Sequence, residues 1–512
     1  MKHKLKTLIA EAFATTAFSQ ETIVIEQPKQ TKLGDYALPI AFSLAKRLKK
    51  APLEIAKELV EVLQVHSHLN ATVDFSIVGG FINLKVKETV ILEAISSFSK
   101  PFLSSIGGPS VLLEYVSANP TGPLHIGHGR WAVLGDIYAR ILKANGQNVF
   151  QEFYINDAGV QIDHLKDSIR AIKAGKPLPA EGYCGSYINQ LAECDADPVE
   201  VLLDQQKKVL SQLGLSFDQW FSEKSLHTSA AVDAMLDTLK DYIYESDAAL
   251  WFKSTQYGDD KDRVLRKKDG SWTYFAVDLA YHFDKLKRQY DKMINIWGAD
   301  HHGYVPRVQA GILAFKAINP EIKAELTVIL GQLVSLYRDG EPVRMSKRTG
   351  DMVALEEVVD EIGVDATRYF LAEKSASTHL DFDLTIAKQK SMENPVYYLQ
   401  YAHARFCRIL ENFPGIDYAL SDSMNSAERS LILQLLKYPD VIKEVAESAE
   451  VHSFVAYLNQ LARLCHSFYE SCPIIKQDLK TQAHRLYIVD ICKTFLAYAF
   501  EKVLGIKAPR KM

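Results

Sequence analysis

No stretch of about 18 consecutive apolar residues occurs in this sequence of 512 residues, so no segment reads as a membrane-spanning helix. The basic start Met1 to Lys6 is followed by an apolar stretch that Glu11 cuts, unlike the unbroken core of a secretory signal, and a cytoplasmic protein is expected. Cysteine is scarce. The six residues, Cys184, Cys194, Cys407, Cys465, Cys472 and Cys492, form no CxxC pair, which argues against a zinc knuckle or redox couple and for buried or idle thiols. Internal repeats and low-complexity tracts are missing too, which excludes solenoids and disordered arrays. Nor is one charge in excess: the formal net charge of -4 does not by itself advertise a polyanionic partner.

What is present is ordinary globular material, with 47% hydrophobic and 24% charged residues. At ~100 to 200 residues per domain, roughly three domains are expected. Charge is uneven locally. Residues 1–50 hold nine Lys/Arg against four Asp/Glu, a local excess of five positive charges that includes the run Lys46-Arg47-Leu48-Lys49-Lys50. Such a run is commonly a solvated helix face, and it gains weight as a nucleic-acid contact only where the rest of the chain implies RNA.

Apolar residues at helical spacing (Leu44, Leu48, Ile55, Leu59, Leu63), broken at Ala51-Pro52, predict two helices across 38–65. Val73 to Val86 reads as two short strands around Gly79-Gly80, and linker chemistry from Lys100-Pro101 to Pro109 sets a boundary near 105. Val111 to Val116 suits a buried parallel strand, followed by a Pro/Gly loop and a helical pattern from Gly127 towards Leu142. The apolar runs Met293 to Trp297 and Leu326 to Leu330 recur among helical stretches, as a doubly wound sheet requires. After about 385 the strand signals stop, and patterns rich in Leu, Tyr and Ala run to Leu504 as an α-helical bundle would.

Two motifs carry chemistry. Ala118-Asn119-Pro120-Thr121-Gly122-Pro123-Leu124-His125-Ile126-Gly127-His128 lies between strand and helix, where amide donors and the positive helix end favour phosphate. Gly127 lets a flat base approach the backbone, and His125 and His128, three apart on the first turn, can face one phosphate. A bare HxGH is weak evidence, because two histidines beside glycines are common in loops. About 220 residues later comes the basic loop Arg344-Met345-Ser346-Lys347-Arg348-Thr349-Gly350, and the pair resembles the ATP-closing signature of class I aminoacyl-tRNA synthetases.

Flanking words narrow the resemblance to the arginyl-tRNA synthetases: the stretch before His125, Tyr183-Cys184-Gly185-Ser186-Tyr187, Gly298 to Tyr304, Asn394 to Arg405, and Gly80-Phe81-Ile82-Asn83-Leu84. The resemblance spans essentially the whole chain. It implies an α/β fold with a Rossmann-type catalytic domain at 106–385, interrupted by a connective insertion at about 155–270. An N-terminal α+β unit (1–105) would meet the tRNA elbow and an all-α bundle (386–512) would read the anticodon.

By resemblance, His125, Gly127, His128, Met345, Ser346 and Lys347 would hold ATP, with His125, His128 and Lys347 acting in catalysis and Mg2+ assisting. Glu114 and Asn119 would take the ammonium and carboxylate ends of L-arginine, Tyr274 and Asp278 its guanidinium, and His302 would be a further contact where some members place glutamine. Phe81, Asn83, Tyr398, Tyr401, Arg405 and Met512 would meet tRNA(Arg). No zinc, no membrane, no resident metal and no editing domain are expected, and the expected state is a monomer.

The chain departs from many arginyl enzymes in keeping Lys347 while carrying Arg344 at the loop's first lysine position; activation is still expected to require tRNA. Competing readings are another class I synthetase, a small nucleotidyltransferase sharing HxGH, and a catalytically silent RNA-binding paralogue. Size and the helical end argue against the transferase, and intact motifs argue against the paralogue.

Overall fold

Proline 52 opens the helix Pro52–Val65, and the preceding helix Ile40–Leu48 ends at Lys49, whose left-handed φ of 52° turns the chain back. The computed structural model describes residues 1–28, 30–98, 107–343 and 353–512. Leu59 and Leu63 of the second helix are fully buried in the N-terminal unit with Ile82 and Leu84. Its antiparallel sheet comprises β1 (Tyr36–Leu38), β2 (Val73–Val78) and β3 (Phe81–Val86), with β3 in the centre. Gly79 and Gly80, both at positive φ, close the β2–β3 hairpin as the sequence predicts.

The central sheet is wholly parallel. It contains β4 (Ser110–Glu114), β5 (Asn148–Ile155) and β6 (Gln219–Ser222). After the small antiparallel sheet β7 (Ile243–Ser246), β8 (Ala249–Phe252) and β9 (Arg263–Arg266), the chain returns to it with β10 (Lys292–Gly298) and β11 (Glu325–Gly331). The order is β11-β10-β4-β5-β6. The fully buried Val111, Leu112 and Leu113 explain why β4 reads as a continuous apolar run.

One difference from the sequence reading stands out: β6 belongs to the central sheet although it lies inside the stretch assigned to the insertion. The inserted material is therefore split. Helices Val160–Lys173, Ser186–Glu193 and Pro198–Gln212 precede β6, and the β7-β8-β9 sheet follows it. A four-residue edge strand, Gln219-Trp220-Phe221-Ser222, has too short an apolar pattern to announce itself.

A further small sheet holds β12 (Val334–Arg338), β13 (Glu341–Pro342) and β14 (Leu380–Asp383). No strand follows. The bundle expected after 385 comprises helices Pro395–Glu411, Ser426–Leu435, Tyr438–Ser448, Val451–Ser471 and Leu479–Tyr498, with a wider π-type turn over Ala499–Leu504. Buried Arg368 ties this end to the helices Ile126–Ala144 and Pro198–Gln212: Nε donates to Leu504 O (2.8 Å), Nη1 to Leu213 O (2.8 Å) and Nη2 to the Asp136 carboxylate (2.5 Å). Among the described residues no helix is long and apolar enough to cross a membrane.

Candidate active site

The chain leaves β4 under strain. Val116 and Ser117 have φ of 73° and 45°. Such left-handed values cost roughly 1–3 kcal/mol each, most for a β-branched residue. Ser117 holds the turn, its Oγ donating to Glu114 Oε1 (2.8 Å) and accepting from the Tyr154 amide (3.2 Å). Asn119 follows, its side chain donating to Gln161 and its carbonyl held by the buried Gln206 (3.1 Å), which also donates to Gly122 O (3.0 Å). Tyr187, from the Tyr183-to-Tyr187 word, donates to Thr121 O (3.1 Å) and walls a cleft of about 340 Å³ beside this loop.

His125 N-caps the helix Ile126–Ala144: its Nδ1 accepts from the Gly127 amide (3.1 Å), while His128 Nδ1 accepts from the His125 amide (3.3 Å). Since both Nδ1 atoms accept backbone protons, the neutral rings carry their N–H at Nε2. The rings stack with centroids 3.8 Å apart. Gly127 leaves room for this, because a Cβ there would press on the His125 ring at 3.0 Å. Two Nε2–H donors thus sit over the first turn of a 19-residue helix, whose amide end favours anions. The loop with Met345, Ser346 and Lys347 lies outside the described residues. Just beyond it, Ala354 bridges to His125 and the Leu355 amide donates to Leu124 O (2.7 Å), which seats the end of that segment on the histidines.

The helix Tyr274–Lys287 lines the other side. Tyr274 is 65% exposed at its first turn, not a core aromatic. One turn on, Asp278 Oδ2 is buried and accepts no hydrogen bond, while its carboxylate has the Tyr304 phenol as a hydrogen-bonding neighbour and its Oδ1 lies 3.3 Å from His282 Nδ1. Two groups that sequence reasoning missed share this place. Burial pushes the Glu223 carboxyl above the ordinary carboxylate range, against hydrogen bonds from Tyr154 and His227. Burial, then the charge of Asp278, also drives the Tyr304 phenol far upward, with Glu223 adding to it. Glu223 follows a short edge strand and belongs to no contiguous motif, so no linear signal marks it.

His302 is exposed in the turn Ala299–Tyr304, apart from these buried groups. Glu114, expected at the substrate's ammonium, is 4% exposed, with Oε1 bonded to Ser117 and Oε2 to Tyr281 (3.2 Å) and Lys285. At a strand end pressed against a helix, Glu114 is thus already engaged by three internal donors, one of them the Lys285 ammonium.

The RNA candidates separate likewise. Phe81 is exposed and packs on exposed Phe42 with ring centroids 4.7 Å apart, whereas Asn83 is 2% exposed because β3 is the central strand there. In the bundle, Arg405 lies between Tyr401 (4.6 Å to the ring centroid) and Tyr469 (4.2 Å). Tyr401, Arg405, Arg408, Tyr469, Arg510 and Met512 line one groove of about 820 Å³. Tyr398 turns away from it and packs on His466 (4.4 Å). Tyr469 and Arg510 were not singled out, being far along the chain from Tyr401.

Comparison with known proteins covers the whole chain. The model of the arginyl tRNA synthetase N terminal domain matches residues 3–86, that of the class I (R) tRNA synthetase catalytic domain 195–399, and that of the DALR anticodon binding domain 399–512. The arginine--tRNA ligase of Anoxybacillus flavithermus is 40% identical over 100% of this chain and 99% of its own length. That of Bacillus subtilis is 39% identical with the same coverage. A putative arginyl-tRNA synthetase from Campylobacter jejuni superposes with a TM-score of 0.74 at 34% identity, covering 83% of this chain and 100% of that one. The Thermus thermophilus arginyl-tRNA synthetase shares the fold over 100% of both chains, with a TM-score of 0.83 at 23% identity. This chain belongs to the arginyl-tRNA synthetase family.

Proposed function

We propose that the chain activates L-arginine with ATP, forming arginyl-adenylate and pyrophosphate, and then transfers the arginyl group to the 3'-terminal adenosine of tRNA(Arg). The observation that carries the substrate assignment is the buried, unpartnered Asp278 Oδ2 close to Glu223. An incompletely paired carboxylate beside one whose ionised form is disfavoured by burial is an energetic deficit that a cation repairs. Arginine's planar five-donor guanidinium fits both carboxylates.

The substrate carboxylate attacks the α-phosphorus, and being already charged it needs no strong general base, so positioning and charge neutralisation carry the step. His125 and His128 donate from Nε2 to phosphate oxygens, while Lys347, by resemblance, steadies the departing pyrophosphate. Asn119 takes the α-amino or carboxylate end, Tyr274 lies at the pocket mouth, and Glu114 acts from beneath by fixing Lys285 and Tyr281. His302 would have to reach in from its exposed turn. Among the described residues no group of three or more His, Cys, Asp or Glu could hold a metal. Mg2+ would enter with ATP, as the counter-ion of its phosphates. In the second step the terminal adenosine's 2'-hydroxyl accepts the arginyl group.

Phe81 supports elbow contact, with Asn83 behind it as strand structure. The Tyr401–Arg405–Tyr469 stack with Met512 supports anticodon stacking. A guanidinium-pairing site rejects analogues that lack the group by large factors, so discrimination can rest on binding. The test is tRNA charging with each of the twenty amino acids: arginine alone should be esterified, and no charging with arginine would overturn the reading. Pyrophosphate exchange without tRNA should be slow despite Lys347.

A further inference from the structure

We propose that Arg130 is a positioning residue for the ATP half-reaction: from within the helix that carries both histidines it fixes the chain entering the signature loop. This inference rests on the function proposed above. Arg130 is 0% exposed and is the fifth residue of the helix Ile126–Ala144. Its Nη1 donates to Gln332 O (2.9 Å) and Leu333 O (3.5 Å), and its Nη2 to Ser375 O (2.8 Å). Nε is buried without a partner. Among the described residues no carboxylate pairs with it, and burial lowers its pKa to about 10.

Such a placement is poor for stability. A buried cation without a counter-ion is costly, and the helix dipole opposes positive charge near the N-terminus. The three carbonyls it meets explain the choice of residue. Gln332 and Leu333 lead from β11 into β12, and β12 and β13 lead to the loop at 344–348. Ser375 lies in the neighbouring chain that enters β14, and these two chains are joined by Gln332 N to Ala376 O (2.8 Å) and Leu380 N to Leu333 O (3.2 Å). One planar fork thus staples both chains to the histidine helix, which a single ammonium would not do.

The next residue completes the anchor. Trp131 packs so tightly on Gly331 that a Cβ there would lie 1.9 Å from the indole, and the Arg130 guanidinium sits 5.7 Å from the same ring's centroid. At the other end of the loop, Leu355 and Ala354 are tied to Leu124 and His125. The chain at 331–333 and the residues Ala354 and Leu355 are therefore both held on one short segment, Leu124 to Trp131. Holding them fixes how these described flanks meet the histidine helix, and so the fit to ATP rather than to arginine or tRNA.

The test uses the full chain with Arg130→Met, which keeps most of the volume, and Arg130→Lys, which keeps the charge. Melting temperature, tRNA binding and steady-state charging are measured with ATP, arginine and tRNA varied in turn. The expected result is at least a tenfold rise in KM for ATP and a kcat about a hundredfold lower in Arg130→Met. KM for arginine and tRNA affinity should stay within twofold, and Arg130→Lys should be intermediate. If Arg130→Met does not fold, Arg130→Lys alone must show the ATP-selective shift. An unchanged KM for ATP, or a parallel loss in all three substrates tracking the melting temperature, overturns the inference. Wild-type protein in the same assay separates the two readings: no arginine charging by wild type defeats the proposed function, whereas normal charging with unaffected variants defeats only the role of Arg130.

Discussion

Two groups of buried charge, around Asp278 and around Lys285, lie about two turns apart on the helix Tyr274–Lys287 and are built to opposite rules. The first is closed. Lys285 bonds Glu114 and Asn295 Oδ1 (3.0 Å), Arg288 bonds Glu152 and Asp284 (2.7 Å to Nη2), and Tyr281 spans Glu114 (3.2 Å) and Glu152 (2.5 Å). The second is open: Asp278 Oδ2 has no donor, and Glu223 is held in surroundings that resist its charge. Identical carboxylates thus perform different work. A buried ion pair whose hydrogen bonds are complete resists the loss of either partner, while an incomplete one marks where a ligand must supply the missing donors.

The sharpest way to break this contrast is to neutralise each side. Asp278→Asn should lower kcat/KM for arginine about a thousandfold, on the order of 4 kcal/mol, while melting temperature stays level or rises. Steady-state charging beside calorimetry checks this, and a small kinetic effect would remove Asp278 from the pocket. Glu114→Gln should do the reverse. Leaving Lys285 buried and uncompensated should cost about 3 kcal/mol of stability, much of it restored in the Glu114→Gln/Lys285→Met double variant by denaturant titration.

Glu223 offers a pH test. Because its carboxyl is raised, it protonates earlier than an ordinary glutamate as pH falls. KM for arginine should therefore rise severalfold as pH falls towards this raised pKa, and Glu223→Gln should raise it about tenfold at pH 8 and flatten that dependence. The sign for the ligand-free fold is opposite, since a raised carboxyl adds stability at low pH that is lost as pH rises through its pKa.

The smallest effect on activity should come from Glu428 in the bundle, another closed site. Burial alone would raise its carboxyl, but His484 at 3.7 Å and hydrogen bonds from Arg485 (2.7 Å) and the Asn425 amide (2.8 Å) outweigh that and hold it at about 2. Its contribution is present above the ordinary glutamate pKa and lost as pH falls towards about 2. Glu428→Gln should cost roughly 2 kcal/mol at neutral pH and soften the acid limb of unfolding, with arginine and ATP constants unmoved.

Legibility followed sequence proximity. His125, Gly127 and His128 are contiguous on one helix start, and their chemistry uses local amides and caps, so the nucleotide half could be read directly. The Tyr401 and Arg405 pairing could be read as well, because four residues make one helical turn. Tyr469, which completes that stack from another helix, could not. Asn83 and Phe81 differ by two positions and sit in one motif, yet one is buried and the other exposed. Phe81 lies at the hairpin end, beyond the residues that β1 pairs, and Asn83 opposite Ala37, a register absent from any local pattern.

The amino-acid sequence by itself determined the family, the α/β class with its helical end, and the adenylate-forming motif, since periodicity, caps and contiguous words act over a few residues. Only the tertiary structure decided which carboxylates are fully paired and which are not, that β6 belongs to the main sheet, and that Arg130 holds the carbonyls of Gln332, Leu333 and Ser375. Burial and hydrogen-bond completion depend on neighbours brought from distant parts of the chain, and no short stretch of sequence contains them.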